Sequence, residues 1–481
     1  MARAFLIFLS IFFIGGCSQN IKAQTKNMES IKAPIKSAVA IEKPLKLEDL
    51  NISNDSFCNN EEIDATINSN KNVFIDRYPQ DISYYIDNFT KNDNNISRYQ
   101  AQFFDRFYSP WSFTRAPKDK STLTWPTKVF KSGFGSNLLP IKKETISWWH
   151  KNINLSEYGT INKRAMVIRY SDIRSLPTEK PLFRDPRIAG EGYPFDQLQN
   201  SSATYAEAVF VSHYSLDRAW VFIYSSSVSG WIKSENIAFI DDKKISNLKN
   251  SKKLFVKKDN LPIYRLDGEF VDYSRVGMVL SYLSEDDSYF YAKSIDKNGD
   301  FIRISLPKDA AHIGFSDLNR DDISIVLSQL LKNSYGWGGF LGERDCSSMI
   351  RDYAIVFGMM LPRNSAAQAM RGEKISLKDM SSDDKKSTIK ELAIPFETIA
   401  YLRGHVLLYV GVYENEPLFI HNIWGVRTKD DMGRNGRHII GRAIISSLDL
   451  GVELADHDPE GLLIDRLESI NIFTRVATKK D

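Results

Sequence analysis

Cysteine is scarce in this chain. Three in 481 residues exclude a disulfide framework and any Cys-rich zinc module. An excess of one charge is also missing. Lys and Arg number 63 against 60 Asp and Glu, a net +3, too balanced for a protein whose main work is neutralising nucleic-acid phosphates. Beyond the first residues no run approaches the ~18 consecutive apolar residues of a membrane-spanning helix. No Gly-Lys-Ser/Thr phosphate loop and no histidine or carboxylate set with metal-ligand spacing occurs, so the expected chemistry uses no cofactor and no metal. Apolar material is ample: 42% hydrophobic and 12% aromatic suffice for several cores. At ~150 residues per domain the length gives a prior of about three domains. Each cysteine then needs its own explanation.

Arg3 precedes an apolar run over residues 4–14 that only Ser10 interrupts. Such a run rises ~16 Å as a helix, short of a ~30 Å hydrocarbon core. Residues 1–16 therefore read as a signal peptide. The following Ile14-Gly15-Gly16-Cys17 resembles the lipobox of bacterial lipoproteins. That resemblance implies a diacylglycerol on Cys17, and Ser18 favours the outer membrane, facing the periplasm, in a diderm cell. The expected location is the cell envelope, with the membrane as a partner through the lipid. Residues 17–55 read as a lipidated tether; residues 18–50 are Lys-rich and contain no aromatic, with an r.m.s. reach of roughly 30–35 Å.

The rest divides by its patterning. Residues 56–163 combine helical spacing (Ile82, Tyr85, Ile86, Phe89) with Phe103, Phe104, Phe107, Trp111 and Trp148-Trp149-His150. They read as an aromatic-cored helical domain in which His150 packs and Cys58 is a thiol without an evident role. Residues 164–242 change to short strands and turns. Within them Trp220-Val221-Phe222-Ile223-Tyr224 and Gly230-Trp231-Ile232 form a predicted tight hairpin. This passage resembles the bacterial SH3-type (SH3b) signature. The insert 176–200, with Tyr193-Pro194-Phe195-Asp196, reads as an extended surface loop, with completion of the catalytic pocket as the alternative reading. Residues 243–316 read as a second SH3b barrel with weaker signature residues; His213 and His312 are structural in this reading.

Residues 317–481 read as α+β. The spacing predicts a helix over 323–331, another after Cys346, and strands over 405–413, 418–423 and 470–476. Gly336, Gly338, Gly339 and Gly342 imply a loop whose backbone passes close to something. Cys346 then falls in the first turn of a helix, where the macrodipole and free N–H groups favour a thiolate and can stabilise an oxyanion. A thiol nucleophile needs a base, and the base an orienting partner; His405 and His421 supply them from adjacent strands. Direct pairing of the two would centre the hairpin about two residues from its polar turn, so a bulge or the turn must absorb the difference, with both histidines on one face. His438 and His457 fall in polar stretches outside this set.

The motifs Tyr335-Gly336-Trp337-Gly338-Gly339, Asp345-Cys346-Ser347, Leu361-Pro362-Arg363-Asn364-Ser365, Gly404-His405-Val406 and His421 together resemble the NlpC/P60 family of cell-wall cysteine peptidases over residues 320–475. Ser348 departs from the pattern, standing where the family has glycine, and is expected to narrow the subsite beside the thiol. The whole body resembles the subclass with a helical stabilising domain and tandem SH3b domains. The implied fold class is multidomain: a helical N-terminal domain, two all-β SH3b barrels and a C-terminal α+β, papain-like domain. The implied activity is hydrolysis of the γ-D-glutamyl–diamino acid bond of peptidoglycan stem peptides with free amino-terminal L-Ala, by a monomer that binds no nucleic acid. By position Asp345 would hold the L-Ala ammonium, or serve as a helix N-terminal charge. Ser347 and Ser365 would bond the substrate, or Ser365 would cap a turn, and Tyr335 and Trp337 would line the cleft. Two readings compete: a non-catalytic SH3b-mediated wall-binding lipoprotein, and an amidase or acyltransferase on the same scaffold.

Overall fold

Short runs of β-branched and aromatic residues bounded by turns build two seven-stranded antiparallel sheets in the middle of the chain. The first runs from Lys163–Val167 to Ile237–Phe239 and the second from Lys253–Val256 to Ala311–Ile313. Counted from its own first strand, each sheet has the order 3-2-6-5-4-1-7. The second thus repeats the topology of the first despite its weaker signature. The expected hairpin is present: Trp220–Tyr224 pairs with Ser229–Lys233 from Trp220↔Lys233 to Tyr224↔Ser229. The computed structural model describes residues 75, 77–91 and 96–475. The signal segment, Cys17, the tether and Cys58 lie outside the described residues.

The N-terminal helices do not enclose a core of their own, contrary to the aromatic-cored expectation. Ser97–Phe107, Ser121–Val129 and Lys143–Asn152 are short, and each has one apolar face that must be buried elsewhere. Phe103 stacks on Phe107 at 5.6 Å and tilts onto Phe255 of the second sheet at 5.5 Å. Trp149 and Leu123 join Phe210, Phe222 and Trp231 of the first sheet. The indole N–H of Trp111 donates to the Ala165 carbonyl at 2.8 Å. The aromatics are thus a wedge against both sheets. The 82–89 spacing forms two 3₁₀ turns, Ile82–Tyr84 and Ile86–Asn88, and not a helix.

The C-terminal part is α+β. Its six-stranded sheet runs, in space, Glu373–Ser376, Leu467–Ile472, Thr398–Leu402, His405–Tyr413, Glu416–Lys429, Asn435–Ser446. Period-2 alternation divides the two faces. Val406, Leu408 and Val410 pack with Ile323, Leu327, Met349 and Tyr353 of the helices Arg320–Leu330 and Cys346–Val356. Leu407 and Tyr409 pack on the other face with Ile389 of the helix Ser382–Leu392. The strand Asn435–Ser446 corrects the sequence reading, which placed His438 in a solvated polar stretch. Its first half is polar because one end of the long hairpin with Glu416–Lys429 is exposed.

Candidate active site

Asp345 has extended backbone and caps the helix that begins at Cys346. Its side chain accepts the Ser348 N–H at 2.8 Å, and the Ser348 hydroxyl accepts the Asp345 N–H at 2.9 Å, a reciprocal capping box. Ser348 therefore turns back onto the cap and does not narrow a subsite. The Asp345 carboxylate also accepts from the Ser347 hydroxyl (3.0 Å), the Gly338 N–H (3.1 Å) and both terminal nitrogens of Arg363 (3.1 and 2.7 Å). A carboxylate has about four lone-pair sites, and the protein's own donors occupy those of Asp345 in this structure. Burial pushes its carboxyl up, but Arg363 and these donors outweigh it and hold the group below its ordinary value. Ser347 uses its only proton on Asp345 and accepts from Arg363 at 2.9 Å. Both residues brace the nucleophile from behind through these contacts. Ser365 is half-buried at the start of the short helix Ser365–Gln368, and the capping side chain there is that of Asn364.

The histidines meet through a β-bulge. Near the turn the pairing is Tyr413↔Glu416 and Gly411↔Leu418; past it the pairing becomes Tyr409↔Phe419 and Leu408↔Ile420. Val410 is the extra residue. Without it the register would place His405 and His421 on opposite faces. With it they share a face as diagonal neighbours, not as directly opposed residues. The Val410 carbonyl accepts from the Asn88 side chain at 3.1 Å. His405 Nε2 lies 2.8 Å from His421 Nδ1, and His421 Nε2 lies 3.0 Å from the Ser446 hydroxyl. Ser446 donates its proton to the Ser447 carbonyl at 2.9 Å, so it accepts from His421 Nε2–H. His421 Nδ1 then accepts from His405 Nε2–H, which leaves His405 Nδ1 as the free lone pair.

The thiol receives the backbone N–H of Val406, the residue after His405. Burial, reinforced by the Asp345 charge, pushes Cys346 up to about 12. Burial, with Arg466 nearby, lowers His405 to about 4. Burial also holds His421 well below its ordinary value. Burial thus acts against a charged thiol and against charged imidazoles, opposite in direction to the effect of the helix start. Tyr335 and Trp337 line the cleft next to His405, as expected, together with Phe195 and Trp424.

Three family models match the chain. The NLPC_P60 stabilising domain, N term, matches residues 67–158, an SH3 domain of SH3b1 type matches 181–233, and an SH3 domain of SH3b2 type matches 241–287. The chain carries an NlpC/P60 stabilising domain and two SH3b domains. No curated protein matches it. Among solved structures, an NlpC/P60 endopeptidase from Photobacterium damselae subsp. piscicida is similar, with TM-score 0.73 and 22% identity over 83% of this chain and 98% of that one. The two share a fold. An NlpC/P60 family protein from Bacillus cereus is more distant, with TM-score 0.42 and 14% identity over 65% of this chain and 100% of its own.

Both SH3b domains hold the cysteine loop. In the first, Gln199 donates to the Gly338 carbonyl at 3.2 Å and the Ser201 hydroxyl accepts from Arg363 at 2.9 Å. Gly338 and Gly339 have positive φ, and a Cβ on either would strike Gln199 or Ser202. This is the close approach the glycines implied. The Tyr193–Asp196 segment is not a free surface loop. Phe195 contacts Trp337 at 5.3 Å and Tyr335 at 6.2 Å, and Tyr193 contacts Trp424 at 5.9 Å. Asp196 is buried and ion-paired with Arg174 at 2.6 Å. In the second SH3b domain, Asp259 takes Arg344. Arg344, Ser446 and Trp424 were not singled out from sequence; Arg363 was visible only as a motif position without a role.

Proposed function

We propose that the protein is a peptidoglycan stem-peptide hydrolase that cleaves the γ-D-glutamyl–diamino acid bond with Cys346 as nucleophile. The observation that carries this reading is the chain Ser446–His421–His405, which leaves one basic nitrogen free beside a thiol at a helix start. As the Cys346 sulfur attacks the γ-glutamyl carbonyl, its proton passes to His405 Nδ1. The C–N bond breaks, the leaving amine takes that proton, and a thioester remains. Water attacks the thioester, gives its proton to His405, and the C–S bond breaks as the thiol is restored. Among the described residues no protein acceptor takes the Cys346 backbone N–H, so it is available to the oxyanion. A papain-like reading of the α+β part, a preference for free amino-terminal L-Ala, and envelope anchoring through Cys17 accompany the proposal. Incubating stem peptides with wild type and Cys346→Ala, with products analysed by mass, tests it. Wild type should release the dipeptide L-Ala-D-Glu with its γ-carboxylate free, and the variant nothing; turnover by the variant overturns the assignment.

A further inference from the structure

In the hairpin of Glu416–Lys429 with Asn435–Ser446, Arg427 stands directly opposite Arg437. Like charges in that relation repel. Arg466 lines the same cleft, which also contains His405. Among the described residues, none of the three guanidiniums has a hydrogen-bonded or salt-bridged partner. The acidic groups that act on them from further away are Asp458, toward Arg437 and Arg466, and Glu191, toward Arg437. Asp458 itself is buried and accepts the Glu460 N–H at 3.2 Å. Burial and mutual repulsion hold Arg437 and Arg466 below the ordinary guanidinium value. Gly190, at φ +81, lets the backbone of the first SH3b domain's insert lie against Arg437; a Cβ there would come within 2.8 Å of the guanidinium. The fold thus keeps three cations together, Arg437 and Arg466 half-buried and Arg427 exposed, and leaves them undercompensated, an arrangement that an incoming anion relieves.

Position decides which part of a substrate reaches them. Arg466 lies near enough to His405 to depress its imidazole. His405 is the group that protonates the leaving amine in the reaction proposed above, so the cluster flanks the leaving-group side. We propose that Arg427, Arg437 and Arg466 form a subsite for a carboxylate at the end of the leaving residue's side chain. It would select a diamino acid of the diaminopimelate type, whose side-chain carboxylate offsets its terminal ammonium, over lysine, whose unaccompanied ammonium the cluster repels. This inference rests on the hydrolase reading and is tested apart from it by binding to the Cys346→Ala protein. The ligands are L-Ala-γ-D-Glu tripeptides ending in diaminopimelate, in the same residue with its side-chain carboxylate amidated, and in L-Lys. The diaminopimelate peptide should bind at least about tenfold tighter than the other two. Arg437→Gln with Arg466→Gln should bring all three within about twofold, and Arg427→Gln alone should narrow the gap. Because these changes remove repulsion, the variants should melt no lower than the parent. Equal binding of the free and amidated peptides, or a preference that survives the double substitution, overturns the subsite. Failure of wild type to cleave any of the peptides overturns the hydrolase reading and leaves the binding result standing.

Discussion

The Arg344 guanidinium grips the Asp259 carboxylate through two hydrogen bonds, at 2.5 and 3.0 Å, with both side chains buried. Arg344 also donates to Asp352 at 2.7 Å on the cysteine helix and to the Asn333 side chain at 2.7 Å. One cation two residues before the nucleophile therefore ties the second SH3b domain to the catalytic helix. Removing Asp259 leaves the buried Arg344 with Asp352 as its one carboxylate and cuts the tie to the second SH3b domain. Asp259→Ala is expected to lower stability by about 3–5 kcal/mol. Arg344→Met combined with Asp259→Leu and Asp352→Leu, which removes the cation together with both its carboxylates, should lose much less. Urea unfolding of the three proteins measures this; a small loss for the single substitution refutes the buttress.

The bulge yields a second expectation. Gly411 has φ +117, and an added Cβ would collide with the Asn88 side chain that holds the Val410 carbonyl. Gly411→Ala should destabilise by about 1–3 kcal/mol through strain and overpacking. Hydrolysis should fall further than stability accounts for, because any loss of the bulge separates the histidines. Activity measured well below the variant's melting temperature distinguishes the two effects; full activity there would show that the register does not depend on Gly411.

Ser446 acts only through His421, so its substitution should change rate and not substrate affinity. Losing the neutral hydrogen bond that fixes the His421 tautomer, and through it the orientation of His405, is worth roughly 0.5–1.5 kcal/mol, or about a 2–10-fold fall in kcat. Ser446→Ala should show that fall with KM nearly unchanged, and Ser446→Thr should recover most of it. A purely structural role would instead lower stability and leave the pH profile of kcat in place.

How far the sequence foretold these features depended on range. Strand and helix periods are local, and the His405–Tyr413 strand was legible to the residue. The shared face of His405 and His421 followed from parity, and the need for a bulge from the turn position. The partners of Asp345 are not legible locally, because they include Arg363, eighteen residues away, and Gly338 across a loop. Sequence alone favours a surface position for Phe195 because its partners, Tyr335 and Trp337, lie in another domain. The aromatic wedge was taken as a core because composition shows that aromatic residues are buried, not against what. Ser446 carries no signal at all: it is one serine in a strand whose polar first half concealed it.

Protonation supplies the last expectation. Burial lowers His405 to about 4 and raises Cys346 to about 12, so above about pH 5 the imidazole is already a free base and the thiol still holds its proton. Transfer must then accompany attack on the carbonyl, which makes His405 a general base and not half of a preformed ion pair. kcat/KM should be flat from about pH 5 through neutrality, with its acid limb near 4. Alkylation of Cys346 by iodoacetamide at pH 7 should be slow and should rise with pH, since only the thiolate reacts. The same shift fixes a stability trend. An unfolded histidine takes up a proton near pH 6.5, whereas folded His405 resists until about 4. Between those values the unfolded state binds more protons, so stability falls as the pH drops from 6.5 toward 4. An acid limb between pH 6 and 7, together with fast alkylation that does not vary with pH, would establish a resting thiolate–imidazolium pair and overturn the neutral site.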